Sequence, residues 1–263
     1  MNSSIAVILG SAFEKSIPEK LNLEMIDIQT GFGTQKLYKS KQENGRDLFV
    51  IFRHGLPHTI LPNQINYRAQ AAALKELNCG ALLINSSVGV MDAKLPLYKP
   101  MMVTDLLMPE NRLPDGSTCT MFQKPSSDHG HLLIKDGLFS TELNQQILDL
   151  GGDEIYKSEN SVVFVYAGGP RGKTPAENKM WAQLGGQVNS MTLAPEVVLA
   201  NELEIPCAAV VVGHKYSVPG IENPQKQKIG DTLKQSRKAT ESLITKFLMS
   251  GKPVDFANQI YRF

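Results

Sequence analysis

Cysteine is scarce in this chain: Cys79, Cys119 and Cys207 are odd in number, far apart and form no C-x-x-C pair. That excludes a disulfide framework and a zinc site of the usual spacing, and it fits reduced thiols in a cytoplasm. A surplus of charge is missing as well. The 27 Lys+Arg against 26 Asp+Glu leave a net charge of +1, whereas binding along a phosphate backbone needs a clear excess of cations on one face. Nucleic-acid partners are therefore not expected. Long hydrophobic runs are absent. The longest, residues 162–167 and 207–213, are strand-sized and far below the ~20 residues that span a bilayer. The start of the chain has no basic segment, and its first apolar run, 5–9, stops at Gly10, too short for a signal peptide. Neither membrane insertion nor secretion is expected. Internal repeats, low-complexity tracts and an interdomain linker are also lacking.

What is present is an alternation of short apolar runs and helical patterns. With 42% hydrophobic and 20% charged residues the chain is not generally disordered. Its 263 residues fit one large domain covering the whole chain, 1–263. Strands are predicted at 5–9, 48–52, 81–84, 101–107, 162–166 and 207–212, and helices at 66–77, 174–184, 194–203 and 230–249. This alternation predicts an α/β sheet protein. Residues 109–130, rich in Pro, Asp, Gly and Ser, read as a long loop.

The strands repeatedly end in turns of Gly, Ser, His or Arg. In open α/β sheets ligands lie beyond the carboxyl ends of the strands, where such turns cluster. Four turns carry groups suited to an anion: Ser11; Arg53 and His54; Ser86 and Ser87; and Met191-Thr192. A guanidinium fork matches phosphate geometry, and hydroxyl and backbone N–H groups complete such a cradle.

Two longer segments sharpen this reading. Arg53-His54-Gly55 is followed by His58, Pro62 and Asn66-Tyr67, and Met191-Thr192 by Pro195-Glu196 and Leu199-Ala200. These patterns, R-H-G-x-x-H-x-x-x-P-x-x-x-N-Y and M-T-x-x-P-E-x-x-L-A, resemble the trimeric purine nucleoside phosphorylases, in the branch that contains methylthioadenosine phosphorylase. Gly10-Ser11, the Asn85–Gly89 turn and Gly169-Pro170-Arg171 with Thr174-Pro175-Ala176-Glu177 match further family segments in order, over about residues 5–215. The resemblance implies a three-layer α/β/α fold around a mixed central sheet. It implies cleavage of a purine (or 5′-methylthio-purine) nucleoside by inorganic phosphate, which is the co-substrate, with no cofactor and no metal. It implies a homotrimer whose partners are otherwise only nucleoside and phosphate. Carried over, Ser11, Arg53, His54, Ser86, Ser87 and Thr192 form the phosphate set and Met191 packs on the ribose. His58 lies near the 5′ side of the sugar, or is a structural histidine. Glu196 orients Arg53 or caps its own helix. His131 reaches a neighbour's sugar site. Arg53→Ala is then expected to weaken phosphate handling and leave the fold intact.

The base side departs from the family pattern. Ala12 replaces a glycine of the first turn, Leu97-Tyr98-Lys99-Pro100 replaces Pro-Gly-Asp, and Gly168 and Gly172 stand where relatives place an acid or an aromatic for the purine. After the 207–212 strand, Gly213-His214-Lys215-Tyr216-Ser217 replaces a Thr/Asn/Asp cluster. His214, Lys215 and Ser217 are the expected base contacts, and Lys215 is an expected proton donor to the leaving purine, unless it points to solvent and His214 meets the base. With a base side so rewritten, the alternative is a family member that binds small molecules and has weak or no activity.

Overall fold

All six side chains of β1 (Ser4–Leu9) are buried, as an unbroken apolar run requires when both its faces are covered. The computed structural model describes residues 3–13, 21–124, 126–157, 162–218, 221, 223 and 228–262. β1 lies parallel between β4 (Asp47–Phe52) and β5 (Cys79–Val90). A hairpin of β2 (Glu24–Thr30) and β3 (Gly33–Lys41) continues the sheet antiparallel beyond β4. On the other side come β6 (Pro100–Leu107), β8 (Val162–Tyr166), β9 (Val188–Ser190) and β10 (Cys207–Tyr216). The nine strands run β10-β6-β8-β9-β5-β1-β4-β3-β2, and β10 also pairs with β5. That additional pairing closes β5, β9, β8, β6 and β10 into a ring. A small separate ribbon pairs β7 (Gly130–Leu133) with β11 (Gln259–Arg262).

The period-2 alternation of β1 sends its side chains into two cores. Ala6 and Ile8 pack with Ala73 and Leu74 of α1 (Tyr67–Glu76) and with Ala194, Val197 and Ala200 of α4 (Ala194–Glu202). Ile5, Val7 and Leu9 pack with Leu143 and Ile147 of α2 (Thr141–Gly151) and with Leu243, Ile244, Phe247 and Leu248 of α5 (Ile229–Ser250). Helices thus cover both faces of a mixed sheet, giving the expected α/β/α layering. The remaining helix, α3 (Pro175–Gln183), has no buried residue.

Several elements differ from the sequence reading. β5 does not break at Asn85 but runs on through Ser86, Ser87 and Gly89, because β10 stays in register with it (Asn85↔Val210, Ser86↔Val211, Ser87↔Val212). The β2–β3 hairpin is polar and largely exposed, so it lacks the apolar signature of the other strands. α2 starts at a Ser140 cap whose hydroxyl accepts from the Leu143 amide. Its two deeply buried aliphatic positions are too few to stand out as a period.

Phe247 is fully buried in the α5 core, and truncation of a buried aromatic typically costs about 3–5 kcal/mol. Phe247→Ala is expected to lower the urea midpoint by that equivalent with the denaturant slope unchanged.

Candidate active site

The carboxyl ends of β1, β4, β5, β9 and β10 converge on one cavity of about 520 Å³. Ser11, Arg53, His54, His58, Ser86, Ser87, Gly172, Met191, Thr192, His214, Lys215 and Ser217 all line it. Gly168 does not: it lines an adjacent cavity of about 490 Å³ with Arg171 and Trp181. His131 lines neither, lying exposed in β7 opposite Tyr261 of β11. Lys173, Asn178, Asn189 and Ser190 also face the main cavity and were missed in the sequence. Lys173 falls inside the same Gly-Pro-Arg-x-x-Thr-Pro turn that carried the resemblance, at one of its variable positions.

Arg53 is 1% exposed and Glu196 3%. The guanidinium Nε donates to Glu196 Oε1 at 2.7 Å, Nη2 to Oε2 at 2.6 Å, and Nη1 to the Asn85 carbonyl at 2.8 Å. A guanidinium has five N–H donors. Three are used, and the other two, one on each Nη, are left for an anion in the cavity. The fork is thus spent on Glu196, which sits in the first turn of α4, where the helix dipole also favours a carboxylate. Glu196 orients Arg53. Gly10 makes room for it, since a Cβ there would lie 2.9 Å from Arg53 Nη1 and 3.2 Å from the Asn85 carbonyl. This arrangement overturns the expectation for Arg53→Ala, because loss of the guanidinium strands a buried carboxylate and harms the fold as well as the site.

Thr192 reaches the cavity from a tight turn. Leu193 has φ 75° and ψ −53°, and the Ala194 amide donates to the Thr192 carbonyl at 3.0 Å. This is the rare γ-turn with positive φ, strained for a branched residue. The burial of Leu193 among β-strand and α4 side chains holds it in place. Met191 beside it packs on Gly169, where a Cβ would lie 2.7 Å from its sulfur.

His54 and His214 are held neutral. Burial, and then the charge of Arg53, lower His54 from 6.5 to about 3. Its Nδ1 lies 2.9 Å from the Ile60 carbonyl, which can only accept, so Nδ1 carries the proton and Nε2 is an acceptor. His58 stacks on it with ring centroids 4.4 Å apart. His214 is lowered to about 4, by burial and then by Lys215. Its Nδ1 lies 3.2 Å from the Thr232 hydroxyl, which itself donates to the Ile229 carbonyl, so here too Nδ1 is the donor. Among the described residues no cluster of His, Cys, Asp and Glu is arranged to hold a metal, and no helix is long and apolar enough to cross a membrane.

Comparison with known proteins identifies the family of the chain. Residues 4–249 match the model of the phosphorylase superfamily. The chain belongs to that superfamily, among the purine nucleoside and methylthioadenosine phosphorylases. It is 31% identical to a Methanopyrus kandleri protein named "Probable S-methyl-5'-thioinosine phosphorylase", over 84% of this chain and 81% of that one. It is 31% identical to a Dictyoglomus turgidum protein named "Probable 6-oxopurine nucleoside phosphorylase", over 77% and 74%. The fold is similar to that of methylthioadenosine phosphorylase from Schistosoma mansoni in complex with tubercidin. That likeness has a TM-score of 0.77 and 21% identity over 94% of this chain and 90% of that one.

Two outcomes follow for this phosphorylase site. Glu196→Gln leaves the buried Arg53 charge without its counter-ion and is expected to destabilise the protein by about 3–5 kcal/mol, read by urea unfolding. His54 is deprotonated in the folded protein down to about pH 3, while in the unfolded chain it protonates below about 6.5. Between those values the unfolded state holds the extra proton, so stability falls as pH drops, by up to about 1.4 kcal/mol per pH unit. His214 acts in the same direction from 6.5 to about 4. His54→Asn is expected to flatten the slope of stability against pH between 4 and 6; an unchanged slope would contradict a buried neutral His54.

Proposed function

We propose that this protein cleaves the N-glycosidic bond of purine nucleosides with inorganic phosphate, giving the free base and a pentose 1-phosphate. The observation that carries this reading is the convergence of Arg53, locked by Glu196, with Ser11, His54, Ser86, Ser87 and Thr192 on one cavity. The names of the relatives, thioinosine and 6-oxopurine phosphorylases, support the purine.

The chemistry needs no nucleophile from the protein. A phosphate oxygen bonds to C1′ as the C1′–N bond breaks, through a sugar with oxocarbenium character, and the electron pair stays on the base. The protein's task is to hold phosphate beneath the ring and to offer fixed charges and dipoles where charge develops. The two remaining Arg53 N–H groups and the hydroxyls of Ser11, Ser86, Ser87 and Thr192 donate to phosphate oxygens. The acceptor Nε2 of His54 takes the phosphate's own O–H, which aims the other oxygens at C1′. Met191 gives the ribose an apolar face, and His58 bounds its 5′ side. His214, Lys215 and Ser217 stand on the base side, with Gly168 and Gly172 in the flanking turn.

The chain works as one domain, in a homotrimer, with His131 completing a neighbour's sugar site. Its position in a ribbon away from its own cavity supports that arrangement. A cytoplasmic location is supported by the three free, buried cysteines.

The deciding experiment is release of free base from a panel of purine nucleosides with and without inorganic phosphate. Strict phosphate dependence is expected. Phosphate binding by calorimetry without turnover on any nucleoside would instead favour a binding protein. Thr192→Val keeps the shape and removes one hydroxyl. It is expected to raise the KM for phosphate by roughly tenfold to a hundredfold, as loss of a hydrogen bond to a charged group does. For the assembly, His131→Ala subunits mixed with Thr192→Val subunits are expected to give, at limiting phosphate, more activity than the sum of the two variants assayed separately; a monomer in sedimentation would contradict the shared site.

A further inference from the structure

The base side of the cavity is lined by two cations. Lys173 reaches it from the turn before α3 and Lys215 from the end of β10. They are close enough for the charge of Lys215 to act on Lys173. Among the described residues lining the cavity there is no aspartate or glutamate. The nearby carboxylate, Glu177, is engaged in both directions: it accepts from Arg171 at 2.9 and 2.6 Å and from the Thr174 amide at 2.8 Å. His214, next to Lys215 in β10, is neutral. Register places this pair relative to phosphate. Lys215 sits opposite Gly89 of β5, two to three residues beyond Ser87 and Ser86, or about 7–10 Å at ~3.3 Å per residue. That separation is suited to one nucleoside spanning both ends.

Lys173 is half-buried and Lys215 exposed, and on a cavity wall that carries no carboxylate among its described residues two ammonium groups favour a ligand that supplies negative charge. They offer only donors. A 6-aminopurine edge, which itself donates, meets them donor against donor, whereas carbonyl oxygens and an ionised ring nitrogen are acceptors. We infer that Lys173 and Lys215 are specificity-determining residues that select nucleosides with an anionic, oxygen-rich base, of the 2,6-dioxopurine kind that loses a ring proton near neutral pH. This rests on the phosphorolysis reading above. In the reaction a phosphate oxygen bonds to C1′ and the C1′–N electron pair moves onto the base. The additional negative charge is met by the ammonium pair, one of which passes a proton to the leaving base and recovers it from solvent. Lys173 is suited to this exchange, since burial and then Lys215 lower it from 10.5 to about 8.

The groups facing Lys173 are Lys215 and His214 from β10, Arg171 and Glu177 from its own turn and helix, and Glu110 and Arg112 across the adjacent cavity. Of these Glu177 opposes the lowering and Lys215 and Arg171 reinforce it. Preference for the anionic base is therefore expected to fall as pH rises through about 8.

The test compares kcat/KM for 2,6-dioxo-, 6-oxo- and 6-aminopurine nucleosides in the wild type, Lys173→Met, Lys215→Met and the double variant. The dioxopurine nucleoside is expected to be preferred to the aminopurine nucleoside, and each substitution to lower that ratio by about 10- to 100-fold, the loss of one charge-assisted contact. Phosphate-dependent cleavage with no dioxopurine preference, or with a ratio that the substitutions leave unchanged, overturns the inference and leaves phosphorolysis standing. Absence of cleavage of every nucleoside overturns phosphorolysis. Calorimetric binding of free xanthine against free adenine then decides the inference: tighter xanthine binding lost in the double variant supports it, and equal binding overturns it.

Discussion

Arg53 and Glu196 form an ion pair that water barely reaches, and the site is built around it. Removing two charges from water is costly, and only good geometry with further hydrogen bonds offsets that cost. Here the pair is bidentate and a third donor goes to the Asn85 carbonyl. These contacts tie together the end of β4, the middle of β5 and the first turn of α4, three elements far apart in the chain. The guanidinium cannot swing away without stranding a carboxylate, so it presents its two remaining N–H groups to the cavity in a fixed direction. Gly10 and the strained turn at Leu193 are accommodations to this pair: one gives it space, the other brings Thr192 and Glu196 to it from the same short segment.

The same burial decides protonation. A second cation beside Arg53 would repel it in a dry site, and His54 is accordingly held neutral, with its proton fixed on Nδ1 by the Ile60 carbonyl. The arginine end of the cavity is therefore one oriented, half-neutralised cation with an acceptor and several hydroxyls around it. That combination suits a hydrogen phosphate, which needs donors for its anionic oxygens and one acceptor for its own O–H.

The other end of the cavity is built differently. Its groups come from the rim, a turn before an unburied helix and the last residues of β10, and not from strand ends sealed by both cores. Charges there are only partly enclosed and can change without disturbing the ion pair beneath.

The sequence by itself determined the α/β class, most of the central strands and the polar turns whose residues line the cavity. Unbroken apolar runs such as 5–9 and 207–212 have few alternatives to burial in a sheet, and Gly, Ser, Arg and His at their ends carry their own chemistry. It also bounded the C-terminal helix, which runs Ile229–Ser250 against an expected 230–249. It did not reveal the β2–β3 hairpin, whose exposed polar strands exist because β4 offers an edge to pair with. Nor did it reveal the continuation of β5 through Asn85 and Ser86, which the register with β10 imposes. Only the tertiary structure decided between the two roles of Glu196, separated Gly168 and His131 from the cavity, and brought Lys173 and Lys215 to the same cavity. Those outcomes depend on which segments meet across the sheet. The meeting of residues more than forty positions apart is set by packing and strand pairing, and leaves no mark on local composition or periodicity.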